Sequence, residues 1–193
     1  FANTANYQVP VGTTKIAPSA FSECNKLASI QFPNTLIEIG SEAFYKCLKL
    51  ENITLPNSIT AVGEGAFYGC EGLLQVELSK SMTIIPDNLL SKCTKLQKIK
   101  IPEGINKIAY QAFSNCSSLT QVEIPASVNN IESESFKACE SLNEIYCYIK
   151  EPLTIEEDVF KGVNVGTCNL YVTAESIEQY KISEVWKNFL VKP

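Results

Sequence analysis

The chain has 193 residues, of which 45% are hydrophobic and 19% charged, and its formal net charge is −5. It contains no histidine, and all 16 basic residues are lysine, so arginine is absent as well. The commonest general base and metal ligand is therefore missing, as is the planar fork that reads phosphate, carboxylate and guanine. These absences argue against nucleic-acid binding and against most hydrolytic chemistry.

The length suits one domain with a continuous core. No window holds 18 consecutive apolar residues, so no membrane span is expected. The opening Phe1-Ala2-Asn3-Thr4 carries neither the basic nor the apolar region of a signal peptide.

In chain order, Tyr7, Val9 and Pro10 align with Ile30, Phe32 and Pro33, one period later. Residues 1–15 therefore read as a partial repeat, and the natural protein is expected to continue upstream. Residues 16–154 read as six repeats of 23 or 24 residues. Cys24, Cys47, Cys70, Cys93, Cys116 and Cys139 are spaced 23 apart. Phe21, Phe44, Phe67, Leu90, Phe113 and Phe136 precede them by three residues, and Leu27, Leu50, Leu73, Leu96, Leu119 and Leu142 follow by three. Several columns on one fixed period are the signature of a solenoid.

Within a unit, SIQFP, NITLP, KIKIP and QVEIP alternate apolar with polar residues, as a half-buried strand does. Pro33, Pro56, Pro102 and Pro125 end it, because proline lacks the N–H that a ladder needs. The following segment, such as GSEAFYKCLKL, is predicted to form about two helical turns. Ser41 would cap it, with Phe44 and Cys47 on its inner face. Pro18 and Asp87 suit the same helix start in their own units. Residues 155–193 read as an atypical last repeat and terminal cap. Leu170 and Val172 belong to a last strand, and Glu175 to Phe189 is helix-like, with Ile177, Tyr180, Val185, Trp186 and Phe189 as apolar anchors.

Written I-x-x-x-A-F-x-x-C-x-x-L-x-x-I-x-L-P-x-x-[ILV], the repeat resembles the leucine-rich repeats of BspA-like surface proteins. The tail NLYVTAESIEQYKISEVWKNF resembles that family's terminal segment. Thr35, Ser58, Ser81, Gly104 and Ser127 stand where the general leucine-rich pattern has asparagine. The resemblance implies an α/β solenoid: a right-handed leucine-rich-repeat superhelix, with a parallel sheet on its concave face, short helices on its convex face and a C-terminal helical cap. It also implies a secreted or surface-anchored bacterial protein used in adhesion or partner binding. The partner would be a protein, such as a host extracellular matrix component or another surface protein.

The cysteines read as one core position copied six times. No C-x-x-C pair occurs, and packed helices 8–10 Å apart would hold the Cα atoms beyond disulfide reach. Cys147 and Cys168 fall outside the column and are the one pair worth testing for a disulfide, although free thiols are expected there too. No enzyme activity, cofactor or metal site is expected, since no base is available to a serine or cysteine beyond lysine or carboxylate. The acidic triplet Glu156-Glu157-Asp158 reads as a favourable helix start rather than a calcium site. Asn52-Ile53-Thr54 and Asn115-Cys116-Ser117 match glycosylation sequons, which read as coincidental in a sequence that resembles a bacterial family.

Binding is expected on the outward positions of the strands, with Gln31, Thr54, Glu77, Lys98, Lys100, Glu123, Tyr146 and Tyr148 as candidate residues. Glu77, Lys100 and Glu123 share one column, which reads first as cross-strand charge pairing and second as a ligand-facing stripe. Tyr45 and Tyr68 are expected to form an aromatic patch on the outer face. A structural stalk displaying another domain and a glycan-binding module are the alternatives to protein recognition.

Overall fold

Ser29 pairs with Asn52, and Asn52 with Gln75, so sheet neighbours are one 23-residue period apart. The structure, a computed structural model, describes residues 4–193. Phe1–Asn3, part of the predicted partial repeat, lie outside the described residues. The chain winds as a parallel β-solenoid with few helices.

Strands Asn6–Gln8, Ser29–Gln31, Asn52–Thr54 and Gln75–Glu77 form one parallel ladder. Lys98–Lys100, Gln121–Ile124, Glu144–Cys147, Asn169–Tyr171 and Leu190–Lys192 form a second, which abuts the first. The central residue of each repeat strand, Ile30 through Ile145, points inward and is buried, as two-residue alternation requires. A second side of each coil carries two-residue strands that end on Ile16, Ile39, Val62, Ile85, Ile108 and Ile131.

The third side departs from expectation. The predicted helices of the repeats are not formed; successive tight turns take their place. In the coil around Phe44, Ala43, Tyr45 and Cys47 donate their N–H groups three residues back. The alternate N–H groups of Glu42, Phe44 and Lys46 instead donate to Glu64, Ala66 and Tyr68 of the next coil, at 2.7–2.9 Å. A helix would send no N–H of this segment to the neighbouring coil: its donors bond four residues back or, in the first turn, lack a backbone partner.

The alternation requires left-handed residues two before and two after the column phenylalanine. Ser19 and Glu23, Glu42 and Lys46, Gln111 and Asn115, and Glu134 and Ala138 all have φ between 51° and 60°. Each such residue costs roughly 1–2 kcal/mol when it is not glycine. The inter-coil bonds hold them there. Ser41, Pro18 and Asp87 accordingly begin turns and cap no helix.

Coils joined by direct hydrogen bonds lie closer than packed helices. The rings of Phe21 and Phe44 stack at 5.1 Å, and those of Phe44 and Phe67 at 5.2 Å. The expected helix spacing therefore does not apply, and it is not what keeps the cysteine column reduced. All eight cysteines are buried free thiols, Cys147 and Cys168 among them. In the column, each thiol from Cys47 onward donates to a carbonyl of the preceding coil, from Cys47 Sγ to Phe21 O at 3.0 Å through Cys139 Sγ to Phe113 O at 3.2 Å. Hydroxyls do similar work where the general pattern has asparagine. Thr35, Ser58, Ser81 and Ser127 each donate to a carbonyl one coil back, at 2.6–2.9 Å.

At the C-terminal end only Ile177–Ile182 is α-helical. Ser183 turns extended, and Val185 sits at φ 66°, ψ −56°, with the Trp186 N–H donating to Glu184 O at 2.7 Å. That is a strained γ-turn, and it ends the predicted helix early. Of the five predicted anchors, Tyr180, Trp186 and Phe189 are buried, while Ile177 and Val185 are half-buried against the core. The chain then returns as Leu190–Lys192 to pair in parallel with Asn169–Tyr171, a strand the sequence reading did not anticipate.

Candidate functional site

Every candidate strand-face residue is solvent-facing to some degree. Gln31, Thr54, Glu77, Lys98, Lys100 and Tyr148 are exposed, while Glu123 and Tyr146 are half-buried. Register brings Thr54 beside Glu77, and Lys100, Glu123 and Tyr146 side by side on successive strands. These two groups line neighbouring stretches of one face. Gln31 lies farther toward the first coil, and Tyr148 lies past the end of its strand.

Of the acid–base column, one pair forms. Lys100 Nζ lies 2.7 Å from Glu123 Oε2, and the hydrogen bond and charge of Glu123 hold the Lys100 ammonium above its usual pKa. Solvent screens so exposed a pair, which adds little stability. Glu77, Lys98 and Lys80 make no ion pair among the described residues.

The coil spanning Val76 to Lys98 breaks the repeat in two columns. Leu90 replaces phenylalanine and interrupts the ring stack, which resumes at Phe113 and Phe136, 5.2 Å apart. Ser79 replaces proline, and it is fully buried with its hydroxyl donating to Ile59 O at 2.6 Å. No ring projects at that level between Pro56 and Pro102, and a hollow of about 690 Å3 opens there. Its floor is Leu55, Val76 and Leu78, and its rim includes Glu77, Lys80 and Lys100. A second hollow of about 390 Å3 adjoins it across Val76, Glu77 and Lys100, and adds Leu74 and Lys98.

A tyrosine cluster closes the face at the C-terminal end. Tyr146 stacks on Tyr171 at 4.7 Å, and Lys192 sits over Tyr171 at 6.0 Å. Partial burial and the Glu144 carboxylate push the Tyr146 phenol upward. Tyr148 occupies the column where five coils carry proline, and its N–H donates to Ile124 O at 2.9 Å, a bond proline could not make. Sequence reading missed Tyr171. It lies 25 residues after Tyr146 instead of 23, because one residue is added between Val163 and Asn169 and another ahead of Ile155.

That lengthening also reassigns the acidic triplet, which starts no helix. Gln111 N–H donates to the Ser133 carbonyl in the next coil, whereas the equivalent Glu134 N–H finds Asp158 Oδ1 at 3.4 Å. Asp158 Oδ2 accepts from Ser133 Oγ at 2.8 Å. One carboxylate thus replaces the carbonyl that the longer coil withdraws.

On the turn face, Tyr45 and Tyr68 stack at 5.3 Å as expected, with Lys46 5.0 Å from the Tyr45 ring and Lys92 5.3 Å from that of Tyr68. Among the described residues no group of three or more histidine, cysteine, aspartate or glutamate side chains gathers to hold a metal, and no helix is long and apolar enough to cross a membrane. Burial pushes Cys47 and Cys116 up to about 12, and Cys70, Cys93 and Cys139 rise for the same reason.

A sequence profile for the BspA type leucine rich repeat region matches in six copies, over residues 1–119 and 66–185. No curated protein matches significantly. Among solved structures, a leucine-rich repeat protein of Eubacterium ventriosum is 25% identical with a TM-score of 0.76, over 83% of this chain and 43% of that one. A leucine-rich repeat protein of T. pallidum is 27% identical with a TM-score of 0.67, over 73% and 68% of the two chains. A leucine-rich cell surface protein of Faecalibacterium prausnitzii shares the fold at 22% identity and a TM-score of 0.51, over 74% and 59%. The chain spans less than two thirds of the Eubacterium and Faecalibacterium proteins.

Proposed function

Since the chain belongs to the BspA-type leucine-rich repeat family, we propose that it is a non-catalytic protein-recognition module of the cell surface or extracellular space. The observation that carries this reading is the strand face. Successive coils hold exposed polar side chains in fixed register, and the face hollows where one coil breaks the repeat. A rigid scaffold presenting ordered side chains limits the entropy lost when a protein docks. The Faecalibacterium relative's description as a cell surface protein supports the location.

In this reading the coils form a right-handed superhelix with the strand face concave, and residues 16–154 are the working array. Residues 155–193 cap it. Trp186 and Phe189 set their edges against the Phe160 ring at 5.7 and 5.1 Å, covering the end of the phenylalanine stack. An uncapped repeat array would expose its core.

Biolayer interferometry against immobilised host matrix proteins and against surface proteins of the same bacterium tests the function. Capture should weaken at least about tenfold in Lys100→Glu and Tyr146→Ala, which alter surface side chains and leave circular dichroism unchanged. Capture that both substitutions leave intact would move recognition off the strand face.

A further inference from the structure

Both mid-array hollows adjoin a lysine that forms no ion pair among the described residues. Lys80 rims the larger and Lys98 the smaller, and Lys100 borders both. Lys100 is already paired with Glu123, while Lys80 and Lys98 have no ion-pair partner among the described residues. The charged residues lining the hollows, Glu77, Lys80, Lys98, Lys100 and Glu123, sum to +1 on a chain whose total is −5, and Glu103 acts on Lys100 from just outside them. Such a reversal of sign within one concavity attracts an acidic partner and repels a basic one.

The floor narrows the partner further. Leu55, Val76 and Leu78 form it between Pro56 and Pro102, and Leu74, 43% exposed, borders the smaller hollow. An apolar floor rewards an aliphatic or aromatic side chain, which a sulfated or sialylated glycan lacks. Glu77 stands where the two hollows meet, so an unbroken run of negative charge would meet a carboxylate there. The tolerated pattern is acidic groups on either side of an uncharged residue.

We infer that the joined hollows over Leu55, Val76 and Leu78 dock an extended acidic peptide segment of the partner protein, its apolar side chain seated on that floor and its carboxylates facing Lys80 and Lys98. This rests on the proposed recognition role of the strand face and adds to it the chemistry of the partner. Glu77 acts as the register element, excluding a carboxylate at the centre of the bound segment.

Selection of random twelve-residue peptides displayed on phage against the folded chain tests it, followed by fluorescence anisotropy with the most enriched peptides. The expected winners are net negative with a central apolar residue. Their affinity should fall at least about tenfold in the Lys80→Glu/Lys98→Glu double variant, and several-fold between about 50 and 300 mM salt. Glu77→Gln should tighten binding and admit peptides with an acidic residue at the centre. Winners that are neutral or basic, failure of any acidic peptide to enrich, or acidic winners indifferent to the double variant would each overturn the inference. So would polyglutamate or heparin binding as tightly as the selected peptides, since charge alone would then suffice. Capture of matrix or surface proteins that depends on Lys100 and Tyr146 but not on Lys80 and Lys98 would leave strand-face recognition standing while removing this inference.

Discussion

The thiol of Cys70 lies 3.1 Å from the carbonyl oxygen of Phe44, 26 residues earlier and one coil away. That carbonyl also accepts the Cys47 N–H at 3.2 Å, so both of its acceptor positions are used inside the core. Cysteine suits the column because it combines a small apolar volume with a weak donor. Cys70→Ala should cost about 1–3 kcal/mol, from lost packing and a buried carbonyl left with one partner. Cys24 makes no such bond among the described residues, so Cys24→Ala should cost less. Urea unfolding of the two variants measures the difference, and equal losses would reduce the column to packing alone.

The same thiols set an alkaline limit. Burial raises Cys47, Cys116 and Cys168 to about 12 from an ordinary value of 9.0. Raised folded pKa values leave stability intact below the unfolded thiol pKa. Above it the unfolded chain ionises first, so stability declines from about pH 9 toward pH 12. Each such thiol contributes about 1.4 kcal/mol per pH unit within that window. The urea midpoint should therefore be steady between pH 6 and 8 and fall steeply by pH 10.5. Iodoacetamide at pH 8 should label almost no thiol in the native protein and all eight in urea. A midpoint unchanged to pH 10.5 would contradict the burial.

Much of this was legible in the sequence, for identifiable reasons. Columns such as Ile30, Ile53 and Val76 gave the strands, their register and the buried thiols, because a stacked coil repeats every contact at one period. The turns were misread because a three-residue spacing, Phe44 to Cys47, fits a helix and a run of tight turns equally well. The residues with positive φ are mostly serine, glutamate, lysine and asparagine, so composition did not flag them. Gly65, Gly69 and Gly162, all with positive φ, hinted at the true backbone. Within the site, the outward columns were readable from alternation. The hollow was not, because it lies where Ser79 turns inward in a column that other coils fill with proline.

Asp158 should prove more sensitive than an acidic residue at a coil edge normally is. It satisfies Ser133 Oγ and the Glu134 N–H, which has no inter-coil carbonyl in reach because this coil is longer. Asp158→Ala should lower stability by about 1–3 kcal/mol. Asp158→Asn should recover part of the loss, since its side-chain oxygen still accepts. Chemical denaturation of both variants decides this. Glu157→Ala, one residue earlier and exposed, should stay within about 0.5 kcal/mol of the parent.

Ser135 offers the opposite sign. It occupies the column that holds Ala43, Ala66 and Ala112, and its buried hydroxyl has no hydrogen-bond partner among the described residues. Removing an unsatisfied buried oxygen recovers its desolvation penalty at little packing cost. Ser135→Ala should raise stability by about 0.5–2 kcal/mol, read as a higher urea midpoint at unchanged slope. A lower midpoint would mean that the hydroxyl has a partner, such as a buried water.

Trp186, the chain's single tryptophan, tests whether the terminal segment unfolds with the array or before it. Its indole N–H donates to Leu153 O at 2.8 Å, and its ring meets Phe160 and Tyr180 edge-on. Tyr180 hydroxyl donates to Ile149 O at 2.9 Å and lies 3.2 Å from Cys147 Sγ. Two aromatic side chains therefore bind the 149–155 connection from one side, while Phe160 carries the stack into the preceding coils. If the segment caps the array, tryptophan emission and far-ultraviolet circular dichroism should lose structure at one denaturant midpoint. Trp186→Ala should then destabilise the whole protein by about 3–5 kcal/mol. Emission that shifts to the red well before the circular dichroism falls would show the segment fraying alone, because an element coupled to the core must melt with it.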